Sequence, residues 1–327
     1  MSLTSWVKQY ENELIGKYLS RNPNPEVISY LEKNPDMIDW QYLSENPAAV
    51  ETLKKNKHCI HWKKICLNPH PQAMEMIKEH YAHYLKRWKE KGIRTPTDMV
   101  LSWENLSKNP NAVEFLKENP QNICGYYQEN DNEWEGGPDS VVDEEVQVEK
   151  GIHNEIHYGY LSENPCAVGY LKENPHTIMG DWLSTNTNGI ELLLKDPSLI
   201  NWYWLSQNPS AVHILQKYLD KVDWCQFSKN SNAIYLLEQY LEKVDWTYFS
   251  ANENAVHLLE KFPEKIDWRW LCKNPNAGRI FEKYLHPKRN KYAKMNIFNK
   301  LDWKWLSENP CIFEKRDDDY TPQHYWV

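Results

Sequence analysis

Apolar residues in this chain of 327 residues occur in short blocks with helical spacing, and an Asn-Pro step separates many of the blocks. In the first kind of block, Trp268 and Leu271 are three residues apart and fall on one helical face. In the second kind, Ala211, Val212 and Leu215 form a similar apolar face. Proline cannot continue the first helix but suits the first turn of the next. The pattern therefore predicts pairs of short helices.

The helix pair belongs to a repeat. A phrase close to Leu-Ser-x-Asn-Pro occurs eleven times, first at Leu19–Pro23 and last at Leu306–Pro310. Between Asn164 and Asn274 its asparagine returns every 22 residues. A fixed period of this size is typical of a solenoid, in which stacking buries the apolar faces of helices too short to be stable alone. We therefore expect an all-α fold, an α-solenoid of about eleven helix-turn-helix repeats extended as a superhelical rod about 100 Å long.

Polar residues at fixed repeat positions predict the helix starts. Asp223, Asp245, Asp267 and Asp302 each precede a tryptophan, where a carboxylate accepts hydrogen bonds from the first N–H groups of a helix. The asparagine of the Asn-Pro step, for example Asn274, is expected to cap the second helix in the same way.

Interruptions of the repeat divide the chain. Residues 1–18 are predicted to form an N-terminal cap, 19–123 repeats with a basic, extended helix near 78–99, and 124–157 an acidic insertion. Residues 158–313 resume the repeats, with a basic insertion near 286–300, and 314–327 form a C-terminal tail. Insertions in solenoids map to surface loops, which are either tolerated or bind partners, and the acidic insertion could also contact a basic one. The candidate insertion contacts are Glu133, Trp134, Glu135, Lys288, Arg289 and Lys291.

Charge and cysteine usage exclude several classes. The formal net charge of −8 argues against a general nucleic-acid or anionic-membrane surface. No run of about 18 apolar residues predicts a membrane span, and residues 1–16 lack the apolar core of a secretory signal. The seven cysteines are scattered and odd in number, which favours reduced thiols in a cytosolic compartment.

The sequence offers little catalytic chemistry. Cys59, His61, Cys66 and His70 lie near one another, but their spacing does not match the usual zinc pairs and each occupies a repeat position, so no metal is predicted. There is no Gly-rich phosphate loop and no recognisable catalytic frame. The chain is therefore expected to be non-enzymatic, with no cofactor and no evident small-molecule substrate.

An aromatic column is the strongest candidate for binding. An aromatic residue recurs two positions after the repeat's first tryptophan, on a helical face turned partly away from the core. These rings either form a face that recognises protein partners or pack between successive helices. The column comprises Tyr42, Tyr160, Trp182, Trp204, Tyr248, Trp270 and Trp305.

The repeat also resembles that of a known group. The stretches Asp39–Leu53 and Asn201–Leu215 are similar to the short repeat of proteins encoded by nucleocytoplasmic large DNA viruses, the giant viruses. The end of the chain, Trp305–Glu314, is similar to the truncated closing unit of many of these proteins. The resemblance implies a viral protein in the host cytoplasm or the virion, and it implies no activity or site residues.

Three functions follow as expectations. The first is a repeat scaffold that binds host or viral proteins during infection. The second is a minor capsid protein or other structural component that bridges subunits of the virion. The third is an adaptor or enzyme whose activity lies in an insertion.

Overall fold

The computed structural model describes residues 3–91, 101–119, 157–285 and 297–314, and these form an all-α repeat protein. The one β feature of the described residues is an isolated antiparallel bridge between Leu3 and Phe313. Residues 120–156, 286–296 and 315–327 lie outside the described residues, and so do all six candidate insertion contacts. Within the described residues, no helix is both long and apolar enough to cross a membrane.

Eleven units follow one another, each with a first and a second helix. The first helices of units 1 to 11 are Gly16–Leu19, Trp40–Ser44, Trp62–Ile65, Trp103–Lys108, Tyr158–Glu163, Gly180–Thr185, Trp202–Gln207, Trp224–Phe227, Trp246–Ala251, Trp268–Leu271 and Trp303–Glu308. The second helices, in the same order, are Glu26–Lys33, Val50–Lys55, Pro71–Lys91, Val113–Lys117, Val168–Glu173, Ile190–Lys195, Val212–Leu215, Ile234–Gln239, Val256–Lys261, Gly278–Leu285 and, for unit 11, Ser5–Lys8.

Short 3₁₀ turns join many of the helices. Between a first and a second helix they are Pro47–Ala49, Pro110–Ala112, Pro165–Ala167, Pro209–Ala211 and Pro310–Ile312. Between a second helix and the next unit they are Glu11–Glu13, Pro35–Met37, Lys57–Cys59, Pro175–Thr177, Pro197–Leu199, Leu241–Lys243, Pro263–Lys265 and Phe298–Lys300. The proline of the Asn-Pro step thus starts a 3₁₀ turn that leads into the second helix.

The apolar columns form one continuous core between the two helix layers. Leu205 of a first helix and Ala211 and Leu215 of the following segment have no exposed surface. The predicted caps are confirmed: Asp223 accepts a hydrogen bond from the Gln226 N–H at 2.8 Å, and the other three predicted aspartates do the same in their own units. The second helix of unit 3, Pro71–Lys91, contains the first part of the basic stretch predicted near 78–99.

A buried asparagine ladder runs through the stack. In each unit the asparagine of the Asn-Pro step donates two side-chain hydrogen bonds, of 2.6 to 3.2 Å, to backbone carbonyls of the preceding unit. The side-chain oxygen of the same asparagine accepts the predicted capping bond. In unit 8, for example, the Asn232 N–H donates to the Asn230 Oδ1 at 3.1 Å. The ladder asparagines are Asn22, Asn46, Asn68, Asn109, Asn164, Asn186, Asn208, Asn230, Asn252, Asn274 and Asn309.

The ladder closes on itself, so the solenoid is a ring and not the expected rod. Asn22 of unit 1 donates to the carbonyls of Ser307 and Asn309 of unit 11, both at 2.9 Å. The Ile15 N–H donates to the Ser307 hydroxyl at 3.0 Å, the bond that the serine column makes between other neighbours. Unit 11 therefore contacts unit 1 as any unit contacts the next.

Both ends of the chain build unit 11. The C-terminal part supplies the first helix and the turn Pro310–Ile312, and the N-terminal part supplies the second helix, Ser5–Lys8, and the turn Glu11–Glu13. The Thr4 N–H donates to the Ile312 carbonyl at 2.9 Å, and Trp6 stacks on Phe281 of unit 10 at 5.0 Å. From Leu3 onwards, the segment predicted to cap an open end instead completes a shared unit, which we call the closing unit.

The first helices form the inner layer of the ring. Neighbouring first helices lie in close backbone contact, whereas neighbouring second helices meet through long side chains such as Lys172 and Glu191, 2.8 Å apart. The layer with the closer spacing lies on the inside of the curve. Eleven helices about 8–10 Å apart give a circle about 30 Å in diameter between axes, and side chains reduce the opening to about 20 Å.

The three interruptions leave the ring at equivalent places. Each falls after a second helix and before the next first helix, between Lys91 and Leu101, Asn119 and His157, and Leu285 and Ile297. Since all first helices run in the same direction, these exits lie on one face of the ring. Asn119, which precedes the acidic interruption, belongs to unit 4, next to the basic helix of unit 3, whereas Leu285 and Ile297 lie on the far side of the ring.

Candidate functional site: the inner surface of the ring

Counted from the start of each first helix, three positions point away from the core, and the last of these, the sixth, follows the helix end where the helix has four or five residues. At 100° per residue, the first, fourth and fifth positions, such as Trp40, Leu43 and Ser44, face the second layer or the neighbouring units. The second, third and sixth positions fall on the opposite side and line the opening. We call these side chains the inner surface.

The predicted aromatic column is the third position of this surface, and its rings meet between successive units. Ring centroids lie 5.0 Å apart for Tyr160 and Trp182 and 5.4 Å for Trp270 and Trp305. Tyr248 meets Trp270 at 5.0 Å, edge to face, the favoured geometry for aromatic pairs. The rings therefore pack between successive first helices, the second of the two alternatives for this column. Most of the rings nevertheless remain partly exposed.

The most exposed part of the column lies in unit 7. Trp204 is 37% exposed and meets Tyr203, 45% exposed, edge to face at 4.9 Å. Tyr203 accepts a hydrogen bond from the Gln226 amide at 2.6 Å, which holds its ring in place. Two large rings are thus held rigidly toward the opening.

Cations of the sixth position lie over rings of the next unit. The Lys108 ammonium is 3.7 Å from the ring centroid of Tyr160, and the Lys229 ammonium is 4.3 Å from that of Tyr248. The Lys273 ammonium lies 4.0 Å from the Trp305 ring, and Arg21 lies 5.5 Å from the Tyr42 ring. Such contacts hold adjacent units together and fix the cations at the opening.

The charge of the inner surface is opposite to that of the whole chain. Although the chain carries a net charge of −8, the inner surface has nine basic and five acidic side chains. The basic residues are Lys17, Arg21, Lys63, Lys64, Lys108, Lys229, Arg269, Lys273 and Lys304, and the acidic residues are Glu45, Glu104, Glu163, Asp181 and Glu308. A charge-based exclusion drawn from the whole chain therefore does not describe this surface.

An ion-pair network spans the junction between the two ends of the array. Arg21 of unit 1 contacts Glu308 of unit 11 at 3.0 Å and Glu45 of unit 2 at 2.6 Å. Glu45 is almost fully buried and also pairs with Lys64 at 3.3 Å. Most of the acidic charge near this junction is thereby matched within the ring.

In units 8 to 11 the inner surface carries four cations, Lys229, Arg269, Lys273 and Lys304, and one acidic side chain, Glu308. Burial, and then the charge of Lys273, lower the pKa of the Lys229 ammonium. Burial lowers the pKa of the Lys273 ammonium as well; Glu308 and Asp302 oppose this shift, and Arg269 adds to it. Neither lysine makes an ion pair within 4.0 Å in the described part of the chain.

The Cys59, His61, Cys66 and His70 group has ordinary structural roles. His61 caps its helix by accepting from the Lys64 N–H at 3.3 Å, and His70 accepts from the Gln72 N–H at 3.2 Å. Cys66 is buried and donates to the Trp62 carbonyl, as the serines of this column do. Among the described residues, no three His, Cys, Asp or Glu side chains are placed to hold a metal ion.

Some inner-surface residues do not stand out in the aromatic pattern of the repeat. Tyr18 is the third-position residue of unit 1, and it stands 6.5 Å from Tyr42 across the unit boundary. Its unit starts with Gly16 in place of tryptophan, so the aromatic pattern did not mark it. The lysines that cover the rings had a visible signal, since Lys108, Lys229 and Lys273 share the position between serine (or cysteine) and asparagine.

Comparison of the chain with protein-family models, with curated proteins and with solved structures finds no match.

Proposed function

We propose that this protein is a non-enzymatic ring scaffold that binds protein partners on its inner surface. The observation that carries the proposal is the pair Tyr203 and Trp204, two large rings held toward the opening with over a third of their surface exposed. Rigid aromatic side chains bury much area at little entropic cost, and they are enriched at the energetic centres of protein interfaces. The half-exposed rings of neighbouring units extend this contact area along the inner wall.

The setting in which the ring acts follows from the resemblance. We infer that it is a protein of the giant-virus repeat group, that it acts in the host cytoplasm during infection, and that its partner is a host or viral protein. The support is the repeat itself, whose phrase is retained through eleven units.

The test is a double variant, Tyr203→Ala with Trp204→Ala, used as bait in infected-cell extracts beside the unaltered protein. We expect partners captured by the unaltered protein to be lost with little change in thermal stability. The matched control is Tyr218→Ala with Tyr235→Ala, which removes two exposed rings from the outer part of the ring. Loss of partners with the control, or their retention by the inner-surface variant, would contradict the proposal.

A structural role in the virion is the second candidate, and one observation favours it. The described residues that flank the three interruptions lie on one face of the ring, so the two faces differ, as suits a subunit that contacts its neighbours through one face. Quantitative mass spectrometry of purified particles decides between the roles. A copy number comparable to that of capsid proteins supports the virion role, and absence from particles supports the infection-stage scaffold.

A further inference from the structure

Three cations of units 8 and 10 form what we call the cationic patch: Lys229, Arg269 and Lys273. They are linked through the rings between them, because the Arg269 guanidinium and the Lys273 ammonium lie 5.1 and 4.0 Å from the Trp305 ring. Lys273 also lies 4.6 Å from the Trp270 ring, and Lys229 lies over Tyr248 of unit 9, between the other two units. Patch and rings together make a rigid, positively charged wall.

The positive charge of the patch is only partly matched by the protein. Asp302 pairs with Arg269 at 3.3 Å while capping its own helix, and Glu308 is bonded to Arg21. Lys229 donates to the neutral amide of Gln226 at 2.8 Å. Burial and mutual repulsion disfavour the charged lysines, and an anion placed between them would offset the repulsion and favour their charged form.

The rings of the patch are poorly placed to stack nucleic-acid bases. Lys229 lies over Tyr248, Lys273 and Arg269 lie over Trp305, and Trp270 is contacted by both neighbouring rings. Binding of single strands depends on free ring faces together with positive charge.

We infer that the cationic patch binds an acidic segment of a partner polypeptide, whose carboxylates pair with Lys229 and Lys273 inside the ring. The exposed rings of unit 7 lie next to unit 8 on the same inner wall, so a partner can contact both. The inference rests on the proposed function and adds the chemistry of the partner: an extended peptide with clustered Asp or Glu residues beside apolar ones. An opening of about 20 Å admits such a chain.

The test measures fluorescence anisotropy of a labelled oligoglutamate peptide with the complete protein at low ionic strength. We expect Lys229→Gln with Lys273→Gln to weaken binding at least about tenfold, because two partly desolvated charge pairs are lost. Lys229→Arg with Lys273→Arg retains the charge and is expected to retain binding. The matched control is Lys217→Gln with Lys261→Gln, which removes two exposed lysines, one just after the second helix of unit 7 and one at the end of the second helix of unit 9.

Three results would overturn the inference: equal weakening by the control variant, equal binding of an oligoglutamine peptide, or tighter binding of an oligothymidylate with the same number of charges. The last would assign the patch to nucleic acid. Failure here leaves the proposed function standing if the Tyr203 and Trp204 variant still loses its partners. Conversely, oligoglutamate binding with no loss of partners from that variant would refute only the aromatic contact.

Discussion

At the residue scale, each ladder asparagine connects three pieces of backbone with one side chain. The Asn230 amide donates to the carbonyls of Ser206 and Asn208 in the preceding unit, and its oxygen accepts from the Asn232 N–H in its own. Because the side chain is fully buried, no water can replace a lost bond. Asparagine alone among the small side chains offers a donor pair and an acceptor in this shape.

We therefore expect Asn230→Asp to be severe although it barely changes the shape of the side chain. The carboxylate loses both donors and faces two carbonyl oxygens, which should lower the free energy of unfolding by about 3 kcal/mol or more. Denaturant unfolding measures the loss. The same substitution at exposed Asn232 is the control and should cost far less; equal effects at the two sites would contradict the ladder.

The cysteines provide a second residue-scale prediction. Burial raises the pKa of the Cys66 thiol to about 12, and the pKa of Cys272 likewise, so neither forms the reactive thiolate near neutral pH. Exposed Cys166 and Cys225 should react with a thiol reagent at mildly alkaline pH. Burial and Asp245 raise the pKa of Cys225, so Cys166 should react faster. Mass spectrometry of the labelled native protein identifies the sites; labelling of Cys66 before unfolding would contradict its placement.

At the element scale, the closing unit depends on a single helix of four residues. Trp6 is 2% exposed and stacks on Phe281, so Trp6→Ala should cost about 3–5 kcal/mol, as for a tryptophan in a protein core. If the N-terminal segment were instead a frayed cap, Trp6→Ala would change the free energy of unfolding little. Denaturant unfolding distinguishes the two, with Tyr218→Ala, at a ring that is 49% exposed, as the reference for a peripheral aromatic.

The helices were predictable because their signals are local. The aspartate caps, the apolar columns and the Asn-Pro steps act within one unit, where the sequence pattern is directly visible. The prediction of a cap for residues 1–18 differs from the structure because this segment holds only the second half of unit 11, which has no Asn-Pro step. Its helix shows only Trp6 and Val7 as a buried face. The positions of the aromatic rings on the inner surface could be predicted from the repeat. Their contacts with the lysines could not, because these contacts depend on how adjacent units are rotated against each other.

At the scale of the whole molecule, ring closure is the sum of eleven small rotations. Each depends on the difference in spacing between the inner and outer layers, which no single repeat reveals. The shared closing unit makes the consequence testable, because Leu3 and Phe313 are adjacent across the bridge.

A circular permutant tests this arrangement. Linking the chain after Glu314 to the chain before Leu3, and opening it between Gly136 and Gly137, would make unit 11 continuous in sequence. We expect the permutant to fold with unchanged helix content and a similar melting temperature, as measured by circular dichroism. In a rod about 100 Å long the same linkage would be strained or impossible, and loss of the fold would contradict the ring.

The closing unit also orders events during synthesis. Its second helix is synthesised before every other helix of the ring and its first helix after them, so the nascent chain forms an open arc until that first helix is made. A polymer bound to the inner wall of that arc would be encircled when the ends join. It would then be held against sideways release, which would require the separation of Thr4 from Ile312 together with the other contacts of the closing unit, such as Trp6 with Phe281.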